Sequence, residues 1–402
     1  MKVLMTSRTR WLVVAVSTPL VLFLVVGGLL GAAPRVPEQG PVEIAQFRDV
    51  LSLIMQGYVE KVDVERVMDG AMRGLADSLD ASSAYLTPPE VKALESKAAL
   101  PAGETGLVIT RQFYLRIVGV RDGSPAAKAG LQTGDFIRMI DGKPTRDMSA
   151  FTGTRLLRGA PGSKIVLTII RSNPTDPHEI TLVRAAATLT PADLVVVKPV
   201  NGKSVAGAEA HVRVASFGTG AAAALRQAFL TLQKDGARGA VIDLRGTADG
   251  ALDEGVAAAR LFIKSGTIAI KAGRAPEQTT ITAGPGDGAI AMPVVLLISN
   301  GTAHAAEVFA AALTGNNRAE LVGEPTAGLA GEQKLVLLPE SHGIWLTYAR
   351  YMQVDGKQSI HERGVRPTVG VEIPTPGFDE LPPATDQPLT KAVEQLRVKL
   401  GK

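Results

Sequence analysis

The chain has 402 residues, of which 46% are hydrophobic and 20% are charged, and this composition is typical of a folded protein with two or three domains. The 43 Lys and Arg residues nearly balance the 39 Asp and Glu residues, and neither sign runs in blocks, so the net charge of +4 predicts no nucleic-acid partner. Because the sequence has no cysteine, disulfides, thiolate catalysis and cysteine metal sites are excluded.

The N-terminus predicts a membrane segment in residues 1–34. Residues 11–33 carry no charge, and about 23 residues at a rise of 1.5 Å give roughly 34 Å, enough to cross a bilayer. Lys2, Arg8 and Arg10 precede this stretch, which places the N-terminus in the cytoplasm and the bulk of the chain outside it, in the periplasm or cell envelope. The alternative to an uncleaved anchor is a signal peptide cleaved after the small residues 31–33.

Residues 35–98 are predicted to form a small N-terminal helical region. A Pro-rich linker is followed by apolar residues spaced three and four apart, first in IAQFRDVLSLIMQGYV and then in residues 64–79. A third helix is predicted just after the Pro88-Pro89 pair.

Residues 99–190 change to short β-branched runs separated by Gly-Asp and Asp-Gly turns. The segment GSPAAKAGLQTGDFIRMIDGKP resembles the central signature of PDZ domains. In such domains a glycine-rich loop binds a peptide's terminal carboxylate and the next strand pairs with the peptide. The resemblance assigns that loop to Thr105, Gly106, Leu107 and Val108, where the second glycine of the motif is missing. The alternative is a β module that only spaces two domains.

From residue 191 to about 375, strand and helix patterns alternate, and VVLLI is apolar on both faces. This pattern predicts an α/β core with buried strands. Residues 376–402 are predicted to form a Pro-rich tail and a terminal helix.

Four separated segments resemble the carboxyl-terminal processing (tail-specific) protease family. They are SLDASSAYL, VRVASF with GARGAVIDLRGTADGALDEGV, LLISNGTAHAAEVFAAALTGNNRAELVGEPTAG, and LTYARYMQVDGKQSIHERGVRP. The resemblance implies a ClpP/crotonase-like protease core with an inserted PDZ domain. It also implies serine endopeptidase chemistry, in which a lysine activates a serine at a helix N-terminus.

The residues at the positions of that chemistry are not the family's. His304 occupies the nucleophile position and Leu329 the position of the lysine base, whereas the supporting glutamine is retained as Gln333. The resemblance places the oxyanion-binding amides at Ala305 and in the altered loop that contains Asp249 and Gly250. Without a nucleophile and a base, the chemical step is expected to be lost.

Three interpretations of the role of His304 stay open. His304 could serve as a base for Thr302 or for a nearby serine, or it could share a metal with Glu307 at i, i+3. The third interpretation is a polar residue that fills the site, with Leu329 packed where a lysine side chain would lie.

The sequence therefore predicts a membrane-anchored, non-catalytic homologue with no cofactor and no metal. It would bind the C-terminal tails of exported proteins, or act as a partner of an active protease or of its own copies. An interaction scaffold that binds through the α/β core falls within this prediction. The alternative is an active serine-type endopeptidase with unrecognised catalytic residues.

Overall fold

The computed structural model describes residues 40–96, 100–171, 175–186, 190–200, 208–378, 380 and 383–401. Residues 1–71 and 72–402 form two compact units. In the first unit, the described part consists of helix α1 (Gly40–Gly57) and the first half of helix α2 (Val64–Asp77). Helix α1 exposes apolar side chains, with Val42 at 74% and Leu53 at 71% of their accessible surface.

The prediction of a single N-terminal membrane span is corrected by the structure. Residues 11–33, on which it rested, lie outside the described residues. Within the ranges given above, no helix combines the length and the apolar character that a bilayer crossing requires. The predicted localisation, anchored in a membrane with the bulk outside the cytoplasm, is wrong by this finding.

The second unit contains the remaining elements. Its helices are α3 (Pro88–Glu95), α4 (Pro125–Lys128), α5 (Ala150–Leu157), α6 (Pro191–Leu194), α7 (Ala221–Lys234), α8 (Leu252–Arg260), α9 (Ala305–Gly315), a 3₁₀ turn (Pro339–Ser341) and α10 (Gln387–Lys399). Its strands are β1 (Ala84–Leu86), β2 (Gly103–Glu104), β3 (Leu107–Gln112), β4 (Tyr114–Val120), β5 (Phe136–Ile140), β6 (Lys143–Pro144), β7 (Lys164–Ile170), β8 (His178–Val183), β9 (Ala185–Ala186), β10 (Val195–Pro199), β11 (Glu209–Val214), β12 (Gly239–Asp243), β13 (Thr267–Ala272), β14 (Gln278–Thr282), β15 (Val294–Ile298), β16 (Ala319–Gly323), β17 (Gly331–Leu337), β18 (Gly343–Met352) and β19 (Val369–Gly370).

The α/β core is built on a six-stranded sheet in the order β10-β11-β12-β15-β16-β19, which is parallel except at β10. Strand β15, the VVLLI run, is buried along its whole length because helices cover both faces of the sheet. Helices α7, α8 and α9 pack on one face and α10 on the other. A second sheet, β1-β18-β13-β14 with β17 on β18, lies next to this layer.

The inserted β domain has its own sheet, in the order β3-β4-β5-β7-β8, and its own apolar core. Arg171 stabilises this domain from within: its guanidinium forms two hydrogen bonds, of 2.7 and 2.8 Å, with the carboxylate of Asp135, and both side chains are almost fully buried. Strand β3 is at the edge of the sheet. The predicted fold class, an α/β core with an inserted β domain and a small N-terminal helical region, is confirmed.

Candidate functional site

The turn after strand β15 places His304 at the N-terminus of helix α9. His304 has φ 51° and ψ −119°, a backbone conformation that non-glycine residues rarely adopt and that costs on the order of 1–3 kcal/mol. Gly301 lets this turn approach the β domain, because a Cβ at this position would lie 2.6 Å from the carbonyl oxygen of Val118 on β4. The turn therefore holds His304, with its strained backbone, where the core and the β domain meet.

Glu307 ties the start of helix α9 to the loop that carries Leu329. Its carboxylate accepts hydrogen bonds from the backbone amides of His304 at 3.1 Å, Gly328 at 2.6 Å and Leu329 at 2.7 Å, and from the hydroxyl of Thr326. Burial raises the pKa of Glu307 to about 7, although these hydrogen bonds oppose the increase. With four donors on its carboxylate, Glu307 holds the positions of the predicted nucleophile and base together.

The His304 ring is neutral at pH 7. Burial lowers the pKa of His304 to about 4; a hydrogen bond with the backbone of Leu329 partly opposes the decrease, and the charge of His361 adds to it. The proposed metal site is not supported, since the described residues contain no group of His, Asp and Glu side chains that could hold a metal ion. Glu307 instead directs its carboxylate to backbone amides.

The residues predicted to bind an oxyanion, Ala305 and Gly250, present their backbone amides in the same region as His304. The amide of Ala305 belongs to the first turn of helix α9, and neither it nor the amide of Gly250 donates to any group among the described residues. Gly250 has φ 114°, and a Cβ there would lie 2.2 Å from the carbonyl carbon of Phe217, so only glycine fits. Burial raises the pKa of the neighbouring Asp249, while a hydrogen bond from Ser216 and the charge of Arg121 oppose the increase.

Leu329 lies in an apolar contact between the core and the β domain. It is 7% exposed and forms a buried cluster with Ala248 and Ala303 of the core and Val118 of the β domain. Gln333, two residues into β17, donates a hydrogen bond of 3.2 Å from its amide to the hydroxyl of Thr347. The predicted position of the base thus holds a packed aliphatic side chain.

No lysine replaces that base in the described structure. The ammonium of Lys334 lies 5.1 Å from the centre of the Tyr348 ring, and Lys271 pairs with Glu332. Thr302 is excluded as a nucleophile, because its fully buried hydroxyl donates to the carbonyl of Leu244 at 2.8 Å. The sequence-based interpretation of His304 as a base for Thr302 is therefore not supported.

The predicted carboxylate loop opens onto a groove of the β domain. Thr105 and Gly106 lead into β3, which begins with Leu107 and Val108. The outer edge of β3 pairs with no other strand among the described residues, and α5 runs along this edge. The groove between α5 and β3 is lined by Phe151, Thr154 and Arg158 on the helix side and by Val108 and Thr110 on the strand side. An edge strand beside a helix offers backbone hydrogen bonds to an extended peptide.

The groove and the core site form one cavity of about 510 Å³. The residues of the predicted loop, Thr105, Gly106, Leu107 and Val108, line the cavity together with Asp249, Gly250, His304, Leu329 and Gln333. Three arginines and two carboxylates also line it, namely Arg121, Arg155, Arg158, Glu104 and Asp249. Glu104 pairs with Arg121 and, at 2.9 Å, with Arg158. Of the predicted site residues, only Ala305 is not on its wall.

Two features of the site were missed from the sequence. Glu307 was considered only as a metal ligand, although Glu three residues after a helix start is the spacing of a capping box. The ion pairs of Glu104 with Arg121 and Arg158 join residues 17 and 54 positions apart in the chain, and no local pattern indicates them.

Comparisons with known proteins agree with this architecture. The profile of "Peptidase family S41" matches residues 209–371, and the profile "PDZ domain" matches residues 116–171. A carboxy-terminal-processing protease of Bartonella bacilliformis is 30% identical over 378 residues, which cover 89% of this chain and 85% of that protein. A carboxyl-terminal-processing protease of Synechocystis sp. is 34% identical over 282 residues, covering 70% of this chain and 65% of that protein.

A solved structure has the same fold. The photosystem II D1 C-terminal processing protease superposes with a TM-score of 0.67 and 26% sequence identity, covering 89% of this chain and 97% of that one.

Proposed function

Because this chain belongs to the carboxyl-terminal processing protease family, as its resemblance to the family predicted, we propose that it binds the C-terminal segments of polypeptides without hydrolysing them. One observation carries this proposal. The predicted carboxylate loop, residues 105–108, and the altered catalytic positions His304 and Leu329 line the same cavity. A polypeptide held by its C-terminus on the PDZ domain would therefore extend directly past His304.

The groove supports the binding half of the proposal. A ligand strand added to β3 would pair with unused backbone groups, and its side chains would meet Phe151 and Val108. The excess of one arginine over the carboxylates of the cavity favours an anionic ligand end. The partner is accordingly a polypeptide with a free C-terminus and apolar last residues. Such a C-terminal segment could also belong to an active protease of the same family or to a second copy of this chain.

The side chains at two positions support the second half of the proposal, that the bound polypeptide is not hydrolysed. Leu329 offers no proton acceptor, and His304, with a pKa of about 4, is a weak base at neutral pH. The hydroxyls of Ser82, Thr105, Thr110 and Thr154 line the cavity. None of them is paired with a lysine there, because the wall of the cavity contains no lysine among the described residues.

The alternative is an active endopeptidase with unrecognised catalytic residues. The unpaired amides of Gly250 and Ala305 favour it, because two such donors can stabilise an oxyanion. The residues at the predicted nucleophile and base positions, His304 and Leu329, argue against an active endopeptidase.

A peptide assay separates the two functions. We expect fluorescent peptides with apolar C-termini to bind the full chain with a Kd on the order of micromolar, about −8 kcal/mol. Amidation of the terminal carboxylate should abolish binding, and the bound peptide should remain intact during prolonged incubation at high protein concentration. Equal affinity for the amidated peptide would exclude recognition of the carboxylate. Cleavage that is lost in His304→Ala would establish the endopeptidase.

A further inference from the structure

Residues 373–378 leave the core after β19 and cross to the PDZ domain. At their start, the amide of Ile373 donates a hydrogen bond of 2.9 Å to the carboxylate of Glu324, on the core. At their end, Phe378 packs with the apolar core of the PDZ domain. The chain then returns to the core, where Asp386 pairs with Arg245 at 2.8 Å and α10 packs on the sheet. The segment is thus held on the core before and after it contacts the PDZ domain.

The PDZ domain offers a built site for Phe378. The phenyl ring is stacked on His178 with 4.1 Å between the ring centres, and the guanidinium of Arg171 lies 4.1 Å from the same ring centre. The Nε and Nη2 atoms of Arg171 donate hydrogen bonds within the PDZ domain, to the carboxylate of Asp135 and to the carbonyl of Gly130. Its remaining nitrogen, Nη1, donates to the carbonyl of Pro376 at 3.4 Å.

Other contacts also hold the PDZ domain on the core. Arg213 of β11 pairs with Asp122 at 3.0 Å, and Leu329 packs against Val118. A Cβ at Gly119 would lie 2.6 Å from the Cβ of Ala248, so β4 lies directly on the loop that precedes Asp249.

From these contacts we infer that residues 373–378 are a strap whose aromatic end, Phe378, occupies a site formed by Arg171 and His178 and holds the PDZ domain in the orientation in which its groove opens onto His304. The strap and the contact of Leu329 act at separate places on the PDZ domain. Loss of the strap alone therefore leaves the other contacts in place but adds a population in which the PDZ domain is reoriented, while each domain stays folded.

The test uses the absence of native cysteine. Lys143→Cys in the PDZ domain and Arg226→Cys in the core are both at exposed positions, and spin labels on them report the distance between the domains by pulsed electron resonance. The parent protein should give one narrow distance distribution. In the Phe378→Ala variant we expect a second, broader population, and in Phe378→Tyr, which retains the ring, the parent distribution.

A matched control is Phe113→Ala. Phe113 is also an aromatic residue of the PDZ domain in contact with an arginine, Arg146, but it is 59% exposed and does not touch the strap. Its distribution should stay narrow. If Phe378→Ala unfolds the PDZ domain, Phe378→Leu fills the same apolar space without a ring that can stack, and the broader population should appear there. Narrow distributions in both variants would overturn the inference.

A binding readout depends also on the proposed function. Peptides long enough to reach His304 should bind the Phe378→Leu variant at least several-fold more weakly than the parent, whereas short peptides confined to the PDZ groove should bind both equally. If no peptide binds the parent, the proposed function fails while the distance measurement still decides on the strap.

Discussion

The backbone amide of Leu329 donates a hydrogen bond of 2.7 Å to the carboxylate of Glu307, which also accepts one from the amide of His304 at 3.1 Å. One carboxylate thus positions the residues at the predicted nucleophile and base positions through their backbones, whatever their side chains are. The framework of the site and the chemistry of the site are therefore separable in this chain.

Replacement of Glu307 tests this separation. Glu307→Ala would leave two buried amides, one partly buried amide and the hydroxyl of Thr326 without their acceptor. Each unsatisfied group costs about 1–3 kcal/mol, so we expect a loss of at least about 4 kcal/mol in the free energy of unfolding, measured by urea denaturation. Glu277→Ala, at an exposed position, should change it by less than about 0.5 kcal/mol. A loss below about 1 kcal/mol for Glu307→Ala would show that other contacts hold the site.

Glu307 and His304 should influence the pH dependence of stability in opposite directions. The pKa of His304 falls from 6.5 to about 4 on folding, so between these values the unfolded chain binds more protons and stability increases with pH. The pKa of Glu307 rises from 4.5 to about 7, so in that range the folded chain binds more protons and stability decreases with pH. The two contributions should largely cancel between about pH 4.5 and 6.5.

The His304→Gln variant should expose the contribution of Glu307. Glutamine does not titrate, so the variant lacks the contribution of His304 and keeps that of Glu307. The free energy of unfolding of the variant should therefore decrease relative to that of the parent by up to about 3 kcal/mol as the pH rises from 4.5 to 6.5. Chemical denaturation at several pH values measures this difference. Parallel curves for the parent and the variant would show that His304 titrates normally in the folded protein.

Much of the fold could be predicted from the sequence, because its signals are local. The helix from Ala221 to Lys234 and the strand from Phe136 to Ile140 lie in the regions for which the sequence predicts an α/β core and a β domain, since apolar periodicity and adjacent glycines mark them. Helix α9 begins at Ala305, directly after the strained backbone of His304. A backbone conformation of this kind has no signature in apolar periodicity.

The site was only partly predictable. The motifs gave the positions of His304, Leu329 and Gln333 in the chain, but the meeting of the PDZ loop and these residues in one cavity depends on how two domains pack. The contact of Phe378 with Arg171 joins residues 207 positions apart, and nothing near Phe378 in the sequence predicts it. Contacts of this kind are determined by tertiary packing.

A double substitution tests whether the framework can still support catalysis. In His304→Ser with Leu329→Lys, the serine would begin helix α9 next to the amide of Ala305, and the lysine would lie in a buried apolar cluster that lowers its pKa. We expect slow cleavage of unfolded, apolar-tailed substrates, followed by mass spectrometry, and no cleavage by either single variant. A double variant that binds substrate but does not cleave it would show that a serine and a lysine at these two positions are not sufficient for catalysis.

Gly106 tests the carboxylate loop. It has φ +82°, and a Cβ there would lie 2.1 Å from the Cβ of Ser124, the residue that caps α4. Gly106→Ala should therefore displace the loop, weaken binding of free C-terminal peptides at least about tenfold, or about 1.4 kcal/mol, and lower the stability of the PDZ domain. Gly142→Ala is the matched control, since Gly142 has φ +74° but no atom within 4 Å of its added Cβ, so it introduces backbone strain without a steric clash. Fluorescence polarisation with one peptide series, together with thermal denaturation of both variants, separates the two effects. If Gly142→Ala weakens binding as much as Gly106→Ala does, the effect comes from general destabilisation, and residues 105–108 do not form the carboxylate site.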